Sequence, residues 1–103
     1  MRVILACIVA VSLAPPAMAK DVRNFFAPQL EGSRVDACLT AGGCGKPAAD
    51  AFCRAQGYDR AMIFQRESFA STRMLDSGKI CSESCIAFKQ VKCFTTKSDL
   101  AGL

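Results

Sequence analysis

The sequence predicts a small disulfide-rich α+β domain, in which one helix packs on a mostly antiparallel sheet of three or four strands. Three observations lead to this fold class. Six cysteines follow an apolar leader, and an even number in a short exported chain is typical of a disulfide framework. One alanine-rich segment stands between a proline and a glycine, as helices often do. Several short apolar runs, separated by turn residues, predict strands.

The leader, residues 1–19, has the three-part layout of a secretory signal peptide. Arg2 gives a positive start, residues 3–13 are apolar, and residues 17–19 (Ala-Met-Ala) supply the small side chains that signal peptidase requires. The apolar run is shorter than the ~20 residues that a membrane-spanning helix needs. We therefore expect cleavage before Lys20, no stable membrane insertion afterwards, and a periplasmic or secreted product. An uncleaved N-terminal anchor is the alternative.

After the leader, we divide the chain into an N-terminal arm at 20–33, a disulfide-stapled domain at 34–95 and a flexible tail at 96–103. Removing Arg2 with the leader leaves twelve basic and nine acidic residues, a net charge of +3. Acidic residues lie between most of the basic ones, whereas nucleic-acid binders usually concentrate positive charge on one face. The charge pattern therefore disfavours nucleic acid as a partner.

The cysteines of the domain predict three disulfide bonds, because exported chains meet an oxidising compartment. They are Cys38, Cys44, Cys53, Cys81, Cys85 and Cys93. Structural zinc sites commonly use closely paired cysteines, often with histidine. The sequence has no C-x-x-C spacing and no histidine, so we expect no metal and no cofactor. The sequence alone does not decide which cysteines pair.

The strongest helix signal lies at residues 47–56. Pro47 suits the first helical position, the alanines favour a helix, and Gly57 is placed to end it. At 100° per residue, one apolar stripe contains Ala48, Ala51, Phe52 and Ala55. If that stripe faces a sheet, Cys53 points away from the sheet and towards the segment that precedes the helix. We therefore favour a bond between Cys38 and Cys53.

Apolar patterning predicts strands at residues 34–40, 59–66, 72–75 and 86–95. The second of these has apolar side chains on both faces, which is typical of a central strand. In the last one, Phe88 and Val91 are three residues apart, although a regular strand places residues of one face two apart. A bulge near Lys89 and Gln90 would bring Phe88, Val91 and Cys93 to one face.

The sequence offers little for catalysis, because the absence of histidine removes Ser–His and Cys–His nucleophile pairs. Carboxylate chemistry remains, and a glycosidase needs two carboxylates about 5–9.5 Å apart across a cleft. The candidates are Asp36, Asp50, Asp59, Glu67, Asp76 and Glu83. None lies in a pattern that marks a catalytic pair. We expect no enzyme activity, and a small histidine-free hydrolase is the least favoured alternative.

Binding is the leading functional hypothesis. We expect an exported, non-enzymatic interaction module, whose partner is an unidentified protein or envelope component. Arg66, Arg73 and Lys79 flank the central loops and are a candidate basic rim for an acidic ligand, although scattered solubilising charge explains them as well. The alternative is an inhibitor of an envelope or foreign enzyme, and a rigid exposed loop at residues 69–78 would favour it. The oligomeric state does not follow from the sequence.

Two stretches carry a resemblance to other proteins. They are CLTAGGCGKPAADAFCRAQGY, from Cys38 to Tyr58, and GKICSESCIAFKQVKC, from Gly78 to Cys93. In this pattern, C-x5-C-G-K-P-A-A-D-x-F-C followed by C-x3-C-x7-C, the chain resembles a group of small exported cysteine-rich bacterial proteins of unknown function. The resemblance implies export and a fixed cysteine scaffold. It implies no activity and no site residues.

Overall fold

The structure is a computed structural model that describes residues 22–96. Its elements, in chain order, are β1 (Val22–Phe26), β2 (Gln29–Leu30), β3 (Ser33–Val35), α1 (Lys46–Ala55), β4 (Arg60–Phe69), β5 (Thr72–Arg73), β6 (Ile80–Cys81) and β7 (Cys85–Phe94). One helix packs against strands that form two sheets, and three disulfides are present in this part of the chain. The predicted disulfide-rich α+β class is confirmed. The leader at 1–19 and nearly all of the tail at 96–103 lie outside the described residues.

Two small sheets meet along strand β7. The first is antiparallel and has the order β1-β7-β4. The second has the order β2-β3-β5-β6, and its β3–β5 pair is parallel. Just after β3, Asp36 forms an isolated bridge with Ala87 in β7. Strand β1 pairs with only part of one edge of β7, and the chain that follows β3 pairs with the remaining part of that edge.

The segment at 20–33, expected to be an arm, instead supplies strands β1 and β2. All five residues of β1 pair with β7. Phe25 packs edge-on against Phe52 in α1, with ring centroids 5.1 Å apart, and against Tyr58 at 6.1 Å. Neither strand was predicted from the sequence, because both are short and β1 has only one large inward side chain, Phe25.

Strand β4 lies at an edge of the first sheet, so its prediction as a central strand is wrong. Met62 and Ile63 are about half exposed, at 48% and 49%. The pairing with β7 shifts between Ala61 and Ile63, which leaves Met62 as an extra residue and breaks the alternation. Apolar side chains on both faces reflect this bulge and an uncovered sheet face, not burial on both sides.

The predicted bulge in the last strand is confirmed. Between Gln65 and Arg66 the pairing of β4 with β7 shifts again, and this time it skips Lys89. The extra residue restores Phe88, Val91 and Cys93 to the buried side of the strand, and the structure buries all three completely.

The helix is rotated from the predicted orientation, and of the predicted stripe only Ala48 and Phe52 are buried. Its buried residues are Ala48, Ala49, Phe52 and Cys53. Ala55, predicted to lie on the core stripe, is exposed. An alanine methyl gains little from burial, whereas a phenylalanine ring gains about 2–3 kcal/mol. Phe52 therefore sets the rotation of α1, and Cys53 turns inward with it.

The three disulfides join Cys38 to Cys44, Cys53 to Cys93 and Cys81 to Cys85. The favoured Cys38–Cys53 bond is wrong, because Cys53 faces the sheet and meets Cys93 in β7. Two of the bonds close short loops, with sequence separations of 6 and 4. The Cys53–Cys93 bond spans a separation of 40 and ties the helix to the central strand of the first sheet.

A buried carboxylate holds the second sheet in place. Asp36 is only 4% exposed. Its Oδ2 accepts a hydrogen bond from the hydroxyl of the fully buried Thr72, and its Oδ1 accepts one from the backbone N–H of Cys38 at 2.8 Å. Burial of an unpaired carboxylate would cost several kcal/mol, so these two donors are essential to the junction.

A buried arginine makes the second connection between the sheets. Nη2 of Arg34 donates to Oε2 of Glu67 at 2.6 Å and to the carbonyl oxygen of Phe88 at 2.7 Å. Its guanidinium also lies 4.4 Å from the ring centroid of Phe69. One side chain of β3 thus contacts both β4 and β7 and covers the end of the first sheet near Phe69.

The long disulfide should contribute more stability than either short one. A bond that closes about 40 residues restricts the unfolded chain by about 4 kcal/mol, against about 2 kcal/mol for a loop of five. We expect the double variant Cys53→Ala/Cys93→Ala to lose about twice as much free energy of unfolding in urea as Cys81→Ala/Cys85→Ala. Equal losses in the two variants would contradict this ranking.

Loss of the Arg34 side chain should separate the two sheets. We expect Arg34→Met to lower the free energy of unfolding by about 2–3 kcal/mol, because it removes two charge-assisted hydrogen bonds and leaves the Phe88 carbonyl without this donor. Glu67→Gln is the matched control, because it keeps an acceptor oxygen for Arg34 and removes only the charge of a partly exposed group, so it should lose less than Arg34→Met. Urea unfolding measures both, and an equal loss would argue against the role of Phe88.

Candidate interaction surface

The carboxylates considered for catalysis have structural roles on separate elements. Five of the six accept a hydrogen bond from another part of the chain. The acceptors and their donors are Asp36 and Thr72, Asp50 and Ala61, Asp59 and Thr96, Glu67 and Arg34, and Asp76 and Thr40. Asp36 and Glu67 lie on either side of Ala87 on neighbouring strands. Asp36 is buried, however, so this pair is not open to a substrate.

Of the predicted basic rim, Arg66 and Arg73 lie in different sheets, and Lys79 lies in the loop between β5 and β6. Arg66 lies in β4 and lines an open depression together with Lys89. Arg73 lies in β5, where its Nη1 donates to the carbonyl oxygen of Gly78 at 3.0 Å, and the carbonyl of Lys79 accepts the N–H of Met74 at 2.8 Å. Arg73 therefore supports a turn, and a shared ligand rim stays a prediction.

Two loops are bound to each other at one end of the molecule. We call residues 38–44 and 74–79 the paired loops. The carboxylate of Asp76 accepts the backbone N–H groups of Thr40 at 2.9 Å and Ala41 at 3.0 Å. These donors, the Thr40 N–H foremost, hold the pKa of Asp76 below its ordinary value of 3.8. The Cys38–Cys44 disulfide closes the first loop.

The first sheet leaves one side open, the side that points away from α1. Phe25, Val91 and Phe64 lie next to one another across the sheet, and they pack on the helix side. Their chain neighbours must therefore point to the opposite side, because side chains alternate along a strand. We call this opposite side the outer face. Its nine residues are Val22, Asn24, Phe26, Arg60, Ile63, Gln65, Gln90, Lys92 and Phe94.

The outer face is a regular grid, because the strand registers align its residues in three rows. The rows, read from β1 across β7 to β4, are Val22–Phe94–Arg60, Asn24–Lys92–Ile63 and Phe26–Gln90–Gln65. Four of these side chains are apolar, three are amides and two are cations, and none is a carboxylate. The grid therefore combines an apolar surface with hydrogen-bonding groups and uncompensated positive charge.

Large apolar side chains stand open on this grid. Phe26 is 70% exposed and Val22 is 47% exposed. Some neighbours hold each other in place. Nε2 of Gln90 donates to Oδ1 of Asn24 at 2.8 Å, and the guanidinium of Arg60 lies 5.4 Å from the ring centroid of Phe94. The second sheet covers only the adjoining end of this side, where Arg34 meets Phe69.

Sequence reasoning did not find the outer face, because it needs three strands in register. It treated β1 as part of an arm and β4 as a strand buried on both sides. The available signal was the alternation Val22-x-Asn24-x-Phe26, which places two apolar side chains and one amide on the same side of a strand. This alternation indicates a surface only when pairing with β7 brings Lys92 beside Asn24.

Comparisons with protein-family models, with curated proteins and with solved structures found no match. Within residues 22–96, no helix has the length and apolar character needed to cross a bilayer. The same residues contain no group of three histidine, cysteine, aspartate or glutamate side chains placed to hold a metal ion.

The contact between the paired loops should weaken in acid. The folded state lowers the pKa of Asp76, so its contribution to stability is present above the unfolded pKa and is lost as the pH falls through the folded one. We expect Asp76→Asn to be less stable than the parent protein above about pH 5, with a difference that shrinks at lower pH. Thermal unfolding across that range measures it.

Glu83→Gln is the matched control for this prediction, because it removes a carboxylate from a different exposed turn. The amide resonances of Thr40 and Ala41 should also move as Asp76 titrates in the parent protein. A stability difference between Asp76→Asn and the parent that is the same at every pH would show that the charge of Asp76 does not hold the loops.

Proposed function

We propose that this chain is an exported, non-enzymatic binding module that docks on another protein through its outer face. The observation that carries the proposal is the exposure of Val22, Phe26 and Ile63 on one side of the sheet. Val22, Phe94 and Ile63 are neighbours there, and exposed apolar side chains gathered on one face of a domain often mark an interaction site. Amides and cations between the apolar side chains give the mixed composition of a protein interface.

The rigidity of the grid supports a binding role. Its central strand, β7, is paired on both sides and is bonded to α1 through Cys53 and Cys93. Association must order any side chain or loop that is mobile in the free protein, at about 0.5–1.5 kcal/mol for each side chain. A surface held by paired strands and a disulfide avoids much of that cost.

Export is part of the proposal and rests on two features. The three disulfides are compatible with an extracellular or periplasmic location, because such bonds persist in oxidising compartments. The leader at 1–19 has the layout of a signal peptide. The proposed partner is accordingly a protein that the domain meets after export.

The paired loops favour a second candidate function, inhibition of an enzyme. The loop that would enter an enzyme is the segment at 69–78, which overlaps residues 74–79 of the paired loops. The carboxylate of Asp76 binds this loop to the backbone N–H groups of Thr40 and Ala41. A loop held in this way is already ordered, as an inhibitory loop must be when it enters a cleft. The docking role of the outer face has the larger apolar surface and is the main proposal.

Site-specific photo-crosslinking in the cells that produce the protein tests this function. A photoreactive phenylalanine analogue is placed at Phe26 or Ile63 on the outer face. The control positions are Arg54, exposed on the helix, and Ala41, in the paired loops. We expect one discrete heavier adduct from both outer-face positions and none from Arg54, because only the outer face meets the partner.

Three other results would count against the docking role. An adduct from Ala41 alone would assign binding to the paired loops and favour the inhibitor function. A crosslink within the chain itself would show that its own residues outside 22–96 occupy the outer face. No adduct from any position in the producing cells would remove the proposal.

A further inference from the structure

We infer that the partner presents carboxylates beside apolar side chains, and that it is not a second copy of this chain. This inference rests on the proposed docking function of the outer face. Three properties of the outer face support it. They are its positive charge, the repulsion between two copies of the face, and its small size.

The charge of the outer face is positive and uncompensated. Arg60 and Lys92 are two of the nine grid residues, and no carboxylate accompanies them. The acidic residue that follows on the same side of β4 is Glu67, and Arg34 already holds its carboxylate at 2.6 Å. Within residues 22–96, neither Arg60 nor Lys92 forms an ion pair.

Docking would remove water from these cations. Lys92 lies at the centre of the grid, between Asn24 and Ile63, and is already half-buried. Taking a charge out of water is costly unless an opposite charge or several hydrogen bonds replace the water. A partner with an apolar surface alone would leave Lys92 uncompensated. A partner that brings carboxylates to Lys92 and Arg60 would compensate them while its apolar groups cover Phe26 and Phe94.

A second copy does not satisfy these requirements. Two outer faces packed against each other would bring two cations from each copy together, with no carboxylate from either. Like charges placed opposite one another in an interface disfavour association by several kcal/mol. The surface is therefore complementary to an acidic partner and not to itself.

The area of the grid indicates a transient complex. Standard strand spacings give the outer face a planar footprint of about 14 by 20 Å. A standard stable interface uses about 20–30 residues on each partner, and the grid has nine. The grid alone is too small for a permanent dimer, and electrostatic attraction would speed the formation of a short-lived complex. We therefore expect binding that weakens as salt rises.

Synthetic polypeptides of defined charge test the chemistry of the partner directly. The probe is a random copolymer of glutamate and tyrosine, and its controls are polyglutamate and a copolymer of lysine and tyrosine. Each is titrated into the oxidised protein purified from its producing cells, and amide resonances are followed by NMR. We expect the glutamate–tyrosine copolymer to shift the resonances of the nine grid residues, polyglutamate to do so more weakly, and the lysine–tyrosine copolymer not at all.

Variants show whether the two grid cations are responsible. We expect Arg60→Gln/Lys92→Gln to weaken binding of the glutamate–tyrosine copolymer at least about fivefold, as expected for interfacial charge pairs. Arg54→Gln/Lys79→Gln removes two exposed cations elsewhere and should leave the affinity within about twofold. Near-ultraviolet circular dichroism establishes that each variant keeps its fold, so that a loss of affinity reports on charge.

The outcomes separate this inference from the proposed function. Shifts that map to the paired loops or the helix, or an affinity that ignores Arg60 and Lys92, would overturn the inference. Equal binding of polyglutamate would overturn the apolar part of it, and concentration-dependent shifts of the grid without any probe would identify a second copy instead. If the copolymer binds as expected but crosslinking in cells yields no adduct, the chemistry of the face stands and the docking function fails.

Discussion

The covalent bond between Cys53 and Cys93 is the constraint on which the rest of the molecule depends. A domain of this size buries only about 60–65% of its unfolded surface, so its core alone provides a thin margin of stability. The bond fixes α1 to the central strand of the first sheet and keeps the helix on one side of that sheet. Phe25, Phe52 and Phe88 fill the space between them. Within residues 22–96, the single helix leaves the other side of the first sheet open, and that side is the outer face.

The second sheet limits how far this open side extends. Arg34 reaches from β3 to contact Glu67 and Phe88, and Asp36 joins Thr72 beside it. These polar contacts cover one end of the first sheet and leave the three rows that begin at Val22, Asn24 and Phe26. The outer face thus ends where this buried polar junction begins. The loops outside the core have few apolar side chains to bury. The two short disulfides and the carboxylate of Asp76 hold them in place instead.

Much of the fold could be predicted from local patterns, and the errors came from long-range contacts. The helix has clear start and stop signals in Pro47 and Gly57, and the bulge near Lys89 follows from the spacing of Phe88 and Val91. The pairing of Cys53 depends on the rotation of α1 about its axis. Burial of the large Phe52 ring determines that rotation more than burial of the small alanine methyls does. The role of β1 depended on pairing with residues almost seventy positions away. The candidate site combines β1, β4 and β7, so no single stretch of sequence contained it.

The sequence separations of the disulfides, 6, 40 and 4, have a consequence for the order of oxidative folding. Closing a loop costs more entropy as the loop grows, and the two local bonds can form while most of the chain is still without structure. The bond from α1 to β7 needs both cysteines to be presented by packed elements. Because Cys93 lies near the end of β7, the last strand of the described residues, that bond can form only after β7 is present and packed. Until then, Cys53 and Cys93 are free thiols that can react with disulfide-exchange enzymes.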